Sequence, residues 1–590
     1  MALLPNLHTN PSLTRRQLLQ AAGLGGALGL LPAWARSAPA GGIAHPDHDP
    51  FTLGVASGDP QPDNVLLWTR LTPPARWLGQ ADAPQLPALA VRWELAHDPG
   101  FRRIAASGQT RALPEWGHAV HVQVNGLAAG RRYFYRFMQG DATSTTGHCC
   151  TAPAPGAAVQ RLRLAFASCQ RWEHGHYAAW RSVVQDQPDL VLFLGDYIYE
   201  YAQPAKTEGL ARPQPLRTAR SLQDYRDRYA LHKSDPLLQA AHAQCNWSVI
   251  WDDHEVENDY AADQGLGDAT AFLARRMAAW QAFYENMPLR AGALQRSMQG
   301  LQLYRSLHWG SLARFHLLDG RQYRSPQACR TPGKADSGSV HADRCPELFD
   351  PARSFLGREQ EAWLGRQLQA DSRHRADATR WSVVAQTTLF TARRRPSGAQ
   401  STDSWDGYPA ARQRLTRQIA DAAPHNSVLL GGDIHQNYVC EVRADAQRPE
   451  SPVLASEFCG TSISSRSGTT QDKVDAIVRH NPYVLLARCD LRGYGLADIT
   501  PQRWTTDLRV LDDPLRADSG AIGGEDVDVL AEDFRRRMGV LKKVVDEGEK
   551  RRALVGQQHE EEQVDEDEGP PDEAIVDYDS VEKGKEKAKD

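Results

Sequence analysis

The stretch Leu190-Val191-Leu192-Phe193-Leu194-Gly195-Asp196-Tyr197-Ile198-Tyr199-Glu200 decides how the rest of the chain is read. Five consecutive apolar residues predict a strand buried on both faces, as in the centre of a parallel sheet. Gly195 lets the backbone turn sharply, and Asp196 then sits at the carboxyl end of the strand, where open α/β folds place their chemistry. Three further segments follow the same plan. Leu162 to Ala167 leads to Ser168-Cys169-Gln170, Val249 to Trp251 leads to Asp252-Asp253-His254-Glu255, and Ser427 to Leu430 leads to Gly431-Gly432-Asp433-Ile434-His435. Four strand ends, each carrying groups that bind hard cations, predict one binuclear metal site.

The ligand types divide into two sets. Cys169, Asp196, Tyr199 and His435 offer a thiolate, a carboxylate, a phenolate and an imidazole, an anionic mixture that suits ferric iron. Asp196, Asp253 and Asp433 form an oxygen-rich set, to which Gln386, at the end of Trp381-Ser382-Val383-Val384-Ala385, adds a neutral carbonyl oxygen. That second set suits calcium, manganese or magnesium better than zinc. Asp196 is the shared carboxylate, and Asp433 and His435, two apart on an extended segment, point to one side. His254, beside Asp253 and not needed as a ligand, is placed to protonate a leaving oxygen or bond a phosphoryl oxygen. Two neighbouring cations lower the pKa of a bound water and clamp phosphoryl oxygens, so phosphoester hydrolysis is the predicted reaction.

Outward from this centre, the 590 residues are too many for one core. Residues 1–40 read as an export signal: Arg15 and Arg16 stand against a short apolar, glycine-rich run from Ala21 to Leu31, followed by Ala33-Trp34-Ala35. Twin arginines imply the twin-arginine export machinery as a partner, a periplasmic or secreted location, and no transmembrane segment in the mature protein. Residues 45–152 carry short alternating runs, Val65 to Thr69, Ala90 to Leu95, His118 to Val124 and Tyr133 to Phe137, which predict an all-β sandwich of fibronectin or immunoglobulin type. Residues 160–512 alternate strands with helical stretches at Tyr177 to Gln185, Ser221 to Leu231, Ala269 to Glu285 and Gly357 to Gln369, the last with Glu359, Trp363 and Leu364 on one face. From 513 to 590 the chain becomes charged, and its last thirty-odd residues have a disordered composition. A net charge of -5, with both signs spread along the chain, gives no nucleic-acid-binding patch. Of nine cysteines, Cys329 and Cys345, flanking a Gly- and Ser-containing loop, are the expected disulfide.

Taken together, Phe166 to Gln170, Gly195 to Glu200, Trp251 to Asn258, Leu318 to Arg324 and Gly432 to His435 resemble the PhoD-type alkaline phosphatases and phosphodiesterases of the calcineurin-like metallophosphoesterase superfamily. The resemblance runs from about Phe51 to Asp512. It implies a four-layer α/β metallophosphoesterase sandwich behind the β-sandwich. It also implies Fe3+ on Cys169, Asp196, Tyr199 and His435, with Ca2+ (or Mn2+ or Mg2+) on Asp196, Asp253, Gln386 and Asp433. Asn258 is expected in an outer shell. Arg321 and Arg324 are candidates for phosphate or for structural ion pairs, and His174 and His176 are candidates for the pocket wall.

The expected function is an exported metal-dependent phosphoesterase acting on phosphomonoesters, phosphodiesters or both, with His254 and Asp253 as catalytic residues. A phospholipase D-like phosphodiesterase is the alternative within enzymes. A secreted binding protein with a vestigial metal site is the alternative outside them.

Overall fold

The computed structural model describes residues 49–72, 87–294, 301–330, 338–375, 377–448, 450–522 and 526–530. The expected export signal at 1–40 and the chain beyond 530 lie outside the described residues.

Two sheets face each other. In the first, Leu190–Leu194 runs parallel between Leu162–Ala167 and Asn246–Ile250. Gly493–Ile499 and Arg503–Leu511 extend that sheet antiparallel on one side. In the second, Ala313–Leu317, Trp381–Ala385, Ser427–Gly431 and Val453–Cys459 are parallel neighbours. The period of two along each strand divides its side chains between the middle and the outside. Leu190, Leu192 and Leu194 enter a core with Leu164, Phe166, Phe315, Val383 and Val428 between the sheets, while Val191 and Phe193 meet the outer helices. Leu429 and Val384 point away to a third core under the helices Arg358–Ala370 and Pro409–Ala422. The outcome is the expected four-layer α/β/β/α sandwich.

The amino-terminal strands differ from a freestanding sandwich. Leu89–Ala96, Ile104–Ala112, Arg132–Gln139, Ala142–Thr143 and Gly147–Cys150 form one antiparallel sheet. Its facing sheet, Val55–Gln61, Asn64–Arg70 and Ala119–Asn125, is continuous with the first catalytic sheet, because Val55–Gln61 pairs parallel to Asn246–Ile250 through Ser57 and Gly58. The two regions therefore share one ten-stranded sheet. Buried polar groups enforce the join: Ser248 donates to Asp59 at 2.9 Å, and the side-chain oxygen of Asn246 accepts the Cys150 N–H at 2.7 Å.

The carboxyl boundary also shifts. Ala521–Ile522 and Asp526–Leu530 pair with Arg503–Leu511, so the sheet continues past the expected end at 512. The helix Arg358–Ala370 buries Gln360, Leu364 and Leu368 and leaves Glu359 exposed, because the four-residue stripe starts one position later than expected. Cys329 and Cys345 form the expected disulfide, with Cα atoms 5.9 Å apart. Among the described residues no helix is long and apolar enough to cross a membrane.

Candidate metal centre

All the predicted ligand segments emerge at the carboxyl ends of the parallel strands, where the two sheets open toward each other. Two glycines allow the closest approaches. Gly195, at φ 102°, passes so near Asp252 that a Cβ would lie 2.7 Å from that residue's own Cβ. A Cβ on Gly432 would lie 2.3 Å from the Ser168 hydroxyl, beside Cys169. The ligand residues themselves are strained: Cys169, Asp196, Asp433 and His435 have φ of 59°, 57°, 64° and 55°. Non-glycine residues hold such angles at a cost of about 1–3 kcal/mol each, and such strain clusters where function demands it.

Ligand atoms of Cys169, Asp196 and His435 lie within 4.8 Å of one another, and so do those of Asp196, Asp253 and His254. Asp196 belongs to both groups. The Tyr199 hydroxyl lies 2.9 Å from Asp196 Oδ2, 3.0 Å from His435 Nε2 and 2.9 Å from the Ser465 hydroxyl. His435 donates from Nδ1 to the Arg466 carbonyl at 2.7 Å, which turns an Nε2 lone pair toward Tyr199. Burial, helped by Arg492, pushes the His435 pKa down to about 3, so the ring is neutral. One phenolic hydrogen thus faces two acceptors, Asp196 and His435, and satisfies one. A cation in that place satisfies both.

The electrostatics agree. Burial, reinforced by Asp196, drives the Cys169 thiol well above its usual range, and burial with the charges of Asp252 and Asp253 drives Asp433 up in the same way. Asp196 is also pushed well up by burial, and its Oδ1 is buried with no hydrogen-bond partner. Anionic donors crowded in an apolar setting need positive charge, and metal binding is what deprotonates such ligands. The donor set fits metal ions.

Asp433 accepts the Thr388 hydroxyl at 2.6 Å, which orients it. Burial opposes the charge of Asp253, but Arg321 and His254 outweigh it and keep its pKa low. His254 donates Nδ1–H to Glu200 at 2.7 Å, and its ring packs tilted against that of Tyr199, with ring centres 4.2 Å apart. Burial works to neutralise this ring, yet Glu200, Asp253 and Asp196 together raise its pKa well above the usual value.

Some predicted residues do not join. The Gln386 carbonyl oxygen accepts the Thr388 N–H at 3.1 Å and the Trp405 indole N–H at 3.2 Å, so both of its lone pairs are engaged by protein donors. Arg321 is saturated by Asp252 at 2.6 Å, by Asp253 at 3.2 Å and by both oxygens of Asp403 at 2.8 Å. Arg324 also bonds Asp403, at 2.9 Å, so both arginines are structural. His174 accepts the Arg466 N–H at 3.2 Å near the centre, whereas His176 lies toward Arg212 and Asp235. Asn258 serves through its backbone N–H, given to Glu200 at 2.8 Å.

Two glutamates escaped the sequence reading. Glu200 orients His254. Glu255, fully buried, accepts the N–H groups of Tyr197, Asp252 and Asp196 at 2.6, 2.9 and 3.2 Å. Both lie inside the quoted motifs, and their signal was an acidic residue beside a ligand with no cation left to bind.

Facing sheets with buried metal donors at their carboxyl edge define a metal-dependent phosphoric ester hydrolase of metallophosphoesterase type. The chain belongs to the PhoD-like phosphatase family: the family model matches residues 164–508, and the model of its N-terminal domain matches residues 35–153. It is 41% identical over 529 residues to alkaline phosphatase D of Bacillus subtilis strain 168, covering 87% of this chain and 86% of that one. A solved structure of PhoD superposes with a TM-score of 0.76 at 38% identity, over 83% of this chain and 92% of the other.

Proposed function

We propose that this phosphoesterase is an exported alkaline phosphatase that holds ferric iron on Cys169, Asp196, Tyr199 and His435 and calcium, or else manganese or magnesium, on Asp196, Asp253 and Asp433. The observation that carries the reading is Asp196, common to two donor groups whose other members differ in chemistry. Bound there, the cations supply Lewis acidity toward phosphoryl oxygens and an activated water. The chain's own residues do the rest. With Nδ1 committed to Glu200, His254 has Nε2 for proton delivery to the departing alkoxide oxygen. Glu200, whose other oxygen takes the Asn258 N–H, fixes the ring in that orientation. Arg321 bridges Asp252 and Asp253 and holds their loop.

Export through the twin-arginine route rests on Arg15 and Arg16 ahead of the apolar run. That route carries folded proteins, so iron inserted before export would travel with the chain.

Elemental analysis with a visible spectrum is the test. Iron and a second metal, a purple tyrosinate-to-iron band, and loss of phosphate release on chelation are expected. A colourless enzyme active in excess chelator would refute the metal assignment.

A further inference from the structure

We infer that Arg171 is a specificity-determining residue, whose guanidinium takes an anionic oxygen that a phosphomonoester carries and a diester lacks. This rests on the phosphoesterase reading of the same centre.

Cys169, Asp196 and Asp253 are sealed from solvent. Around Tyr199, His254, 12% exposed, Arg171, 16% exposed, and the partly exposed His435 reach it, and of these His435 belongs to the donor group. The Arg171 guanidinium carbon stands 5.6 Å from the Tyr199 ring centre and 5.5 Å from that of Tyr201, while the His254 ring lies tilted against Tyr199 at 4.2 Å and edge-on to Tyr201 at 5.3 Å. The two cationic groups thus share one aromatic shelf above the metal ligands. That shelf is where an incoming ester would rest.

Arg171 is held there firmly. Its N–H donates to the Ser465 hydroxyl at 3.1 Å, and its carbonyl accepts from Ser464 at 2.7 Å. Ser465 in turn touches the Tyr199 hydroxyl, so the backbone of Arg171 is tied to the ligand shell. Its Nε bonds the buried Glu173 at 2.7 Å. Among the described residues this is the guanidinium's protein acceptor, and the Nη1 and Nη2 fork is left for something else. Arg321, by contrast, has both Nη atoms on the Asp403 carboxylate, and Arg324 gives its Nη1 to the same carboxylate.

A planar fork fixed in place complements phosphate. At alkaline pH a monoester is a dianion, and a diester has an alkylated, uncharged oxygen in the corresponding place. Arg171 should therefore discriminate by charge, whereas groups that contact oxygens common to both substrates should not.

The test uses the full-length, metal-loaded protein and its Arg171→Gln and Arg171→Lys variants. Kinetics on p-nitrophenyl phosphate and bis(p-nitrophenyl) phosphate are compared, with inhibition by inorganic phosphate and with metal content and visible spectrum as controls. Arg171→Gln should raise KM for the monoester and Ki for phosphate by about tenfold or more, as expected for one lost charge-assisted pair. KM for the bis-ester should move by less than about threefold, and Arg171→Lys should recover part of the monoester loss. Equal effects on both esters, or an unchanged phosphate Ki, would overturn the inference. Should Arg171→Gln lose metal, Arg171→Lys carries the same comparison. A parent protein that hydrolyses neither ester would instead remove the underlying reading, an outcome visible before any variant is made.

Discussion

The Glu255 carboxylate accepts the backbone N–H of Tyr197 at 2.6 Å, joining the loop after one strand to the loop after its neighbour. The same carboxylate accepts the N–H groups of Asp196 and Asp252, so three donors depend on one buried side chain. Glu255→Gln keeps the volume but turns an amide NH2 against these donors. Each buried N–H left unpaired should cost about 2 kcal/mol, and a loosened Asp196 should lower metal affinity roughly 10- to 100-fold. Urea melts of the apoprotein and metal titration would read the two effects separately. Unchanged metal affinity would show that the clamp does not position Asp196.

Tyr199→Phe removes the oxygen that lies between Asp196 and His435 and leaves the ring in its contact with His254. Loss of the visible charge-transfer band is expected, with fold retained. An identical purple spectrum would assign the colour to another tyrosine.

Glu200 acts on turnover through His254. Glu200→Gln should lower kcat by about 10- to 100-fold, in the range of general-acid effects, with KM and metal content nearly constant. His254→Ala should do the same, and the double variant should be little worse than either alone, because both changes remove one function. Additive losses would separate the two residues. Steady-state kinetics on one chromogenic monoester suffices.

How far the sequence was readable follows burial. Leu190–Leu194 and Ser427–Gly431 are buried on both faces, and a continuous apolar run announces that directly. Cys169, Asp196, Tyr199 and His435 were readable because unusual donors stand at such strand ends. Val55–Gln61 carries Ser57, Gly58 and Asp59, shows no alternation, and finds its parallel partner at Asn246 far along the chain, so the shared sheet was not visible. Gln386 looks in sequence like any strand-end ligand. Whether its oxygen is free depends on Trp405, placed there by tertiary packing. Ile104–Ala112 mixes Ser, Gly, Gln and Arg and was likewise unannounced, since an exposed face imposes no apolar pattern.

Lys233 sets a pH dependence outside the metal centre. Its Nζ lies 4.3 Å from the Trp68 ring centre and 5.3 Å from that of Tyr197, at the junction of the amino-terminal strands with the α/β region. Burial, with help from Arg70, lowers its pKa from 10.5 to about 7. Between those values the unfolded chain binds the proton and the folded chain does not, so this residue makes stability rise as pH climbs from about 7 to about 10.5, and its penalty is fully present below 7. Lys233→Met removes the proton while keeping an unbranched apolar stem. The variant should gain up to about 4 kcal/mol over the parent near pH 7, an upper bound from the pKa difference less the lost contact of the cation with Trp68. That gain should shrink steadily toward pH 10, as urea melts of both proteins across the range would show. A gain independent of pH would mean that Lys233 is charged to the same extent in the folded and unfolded chain.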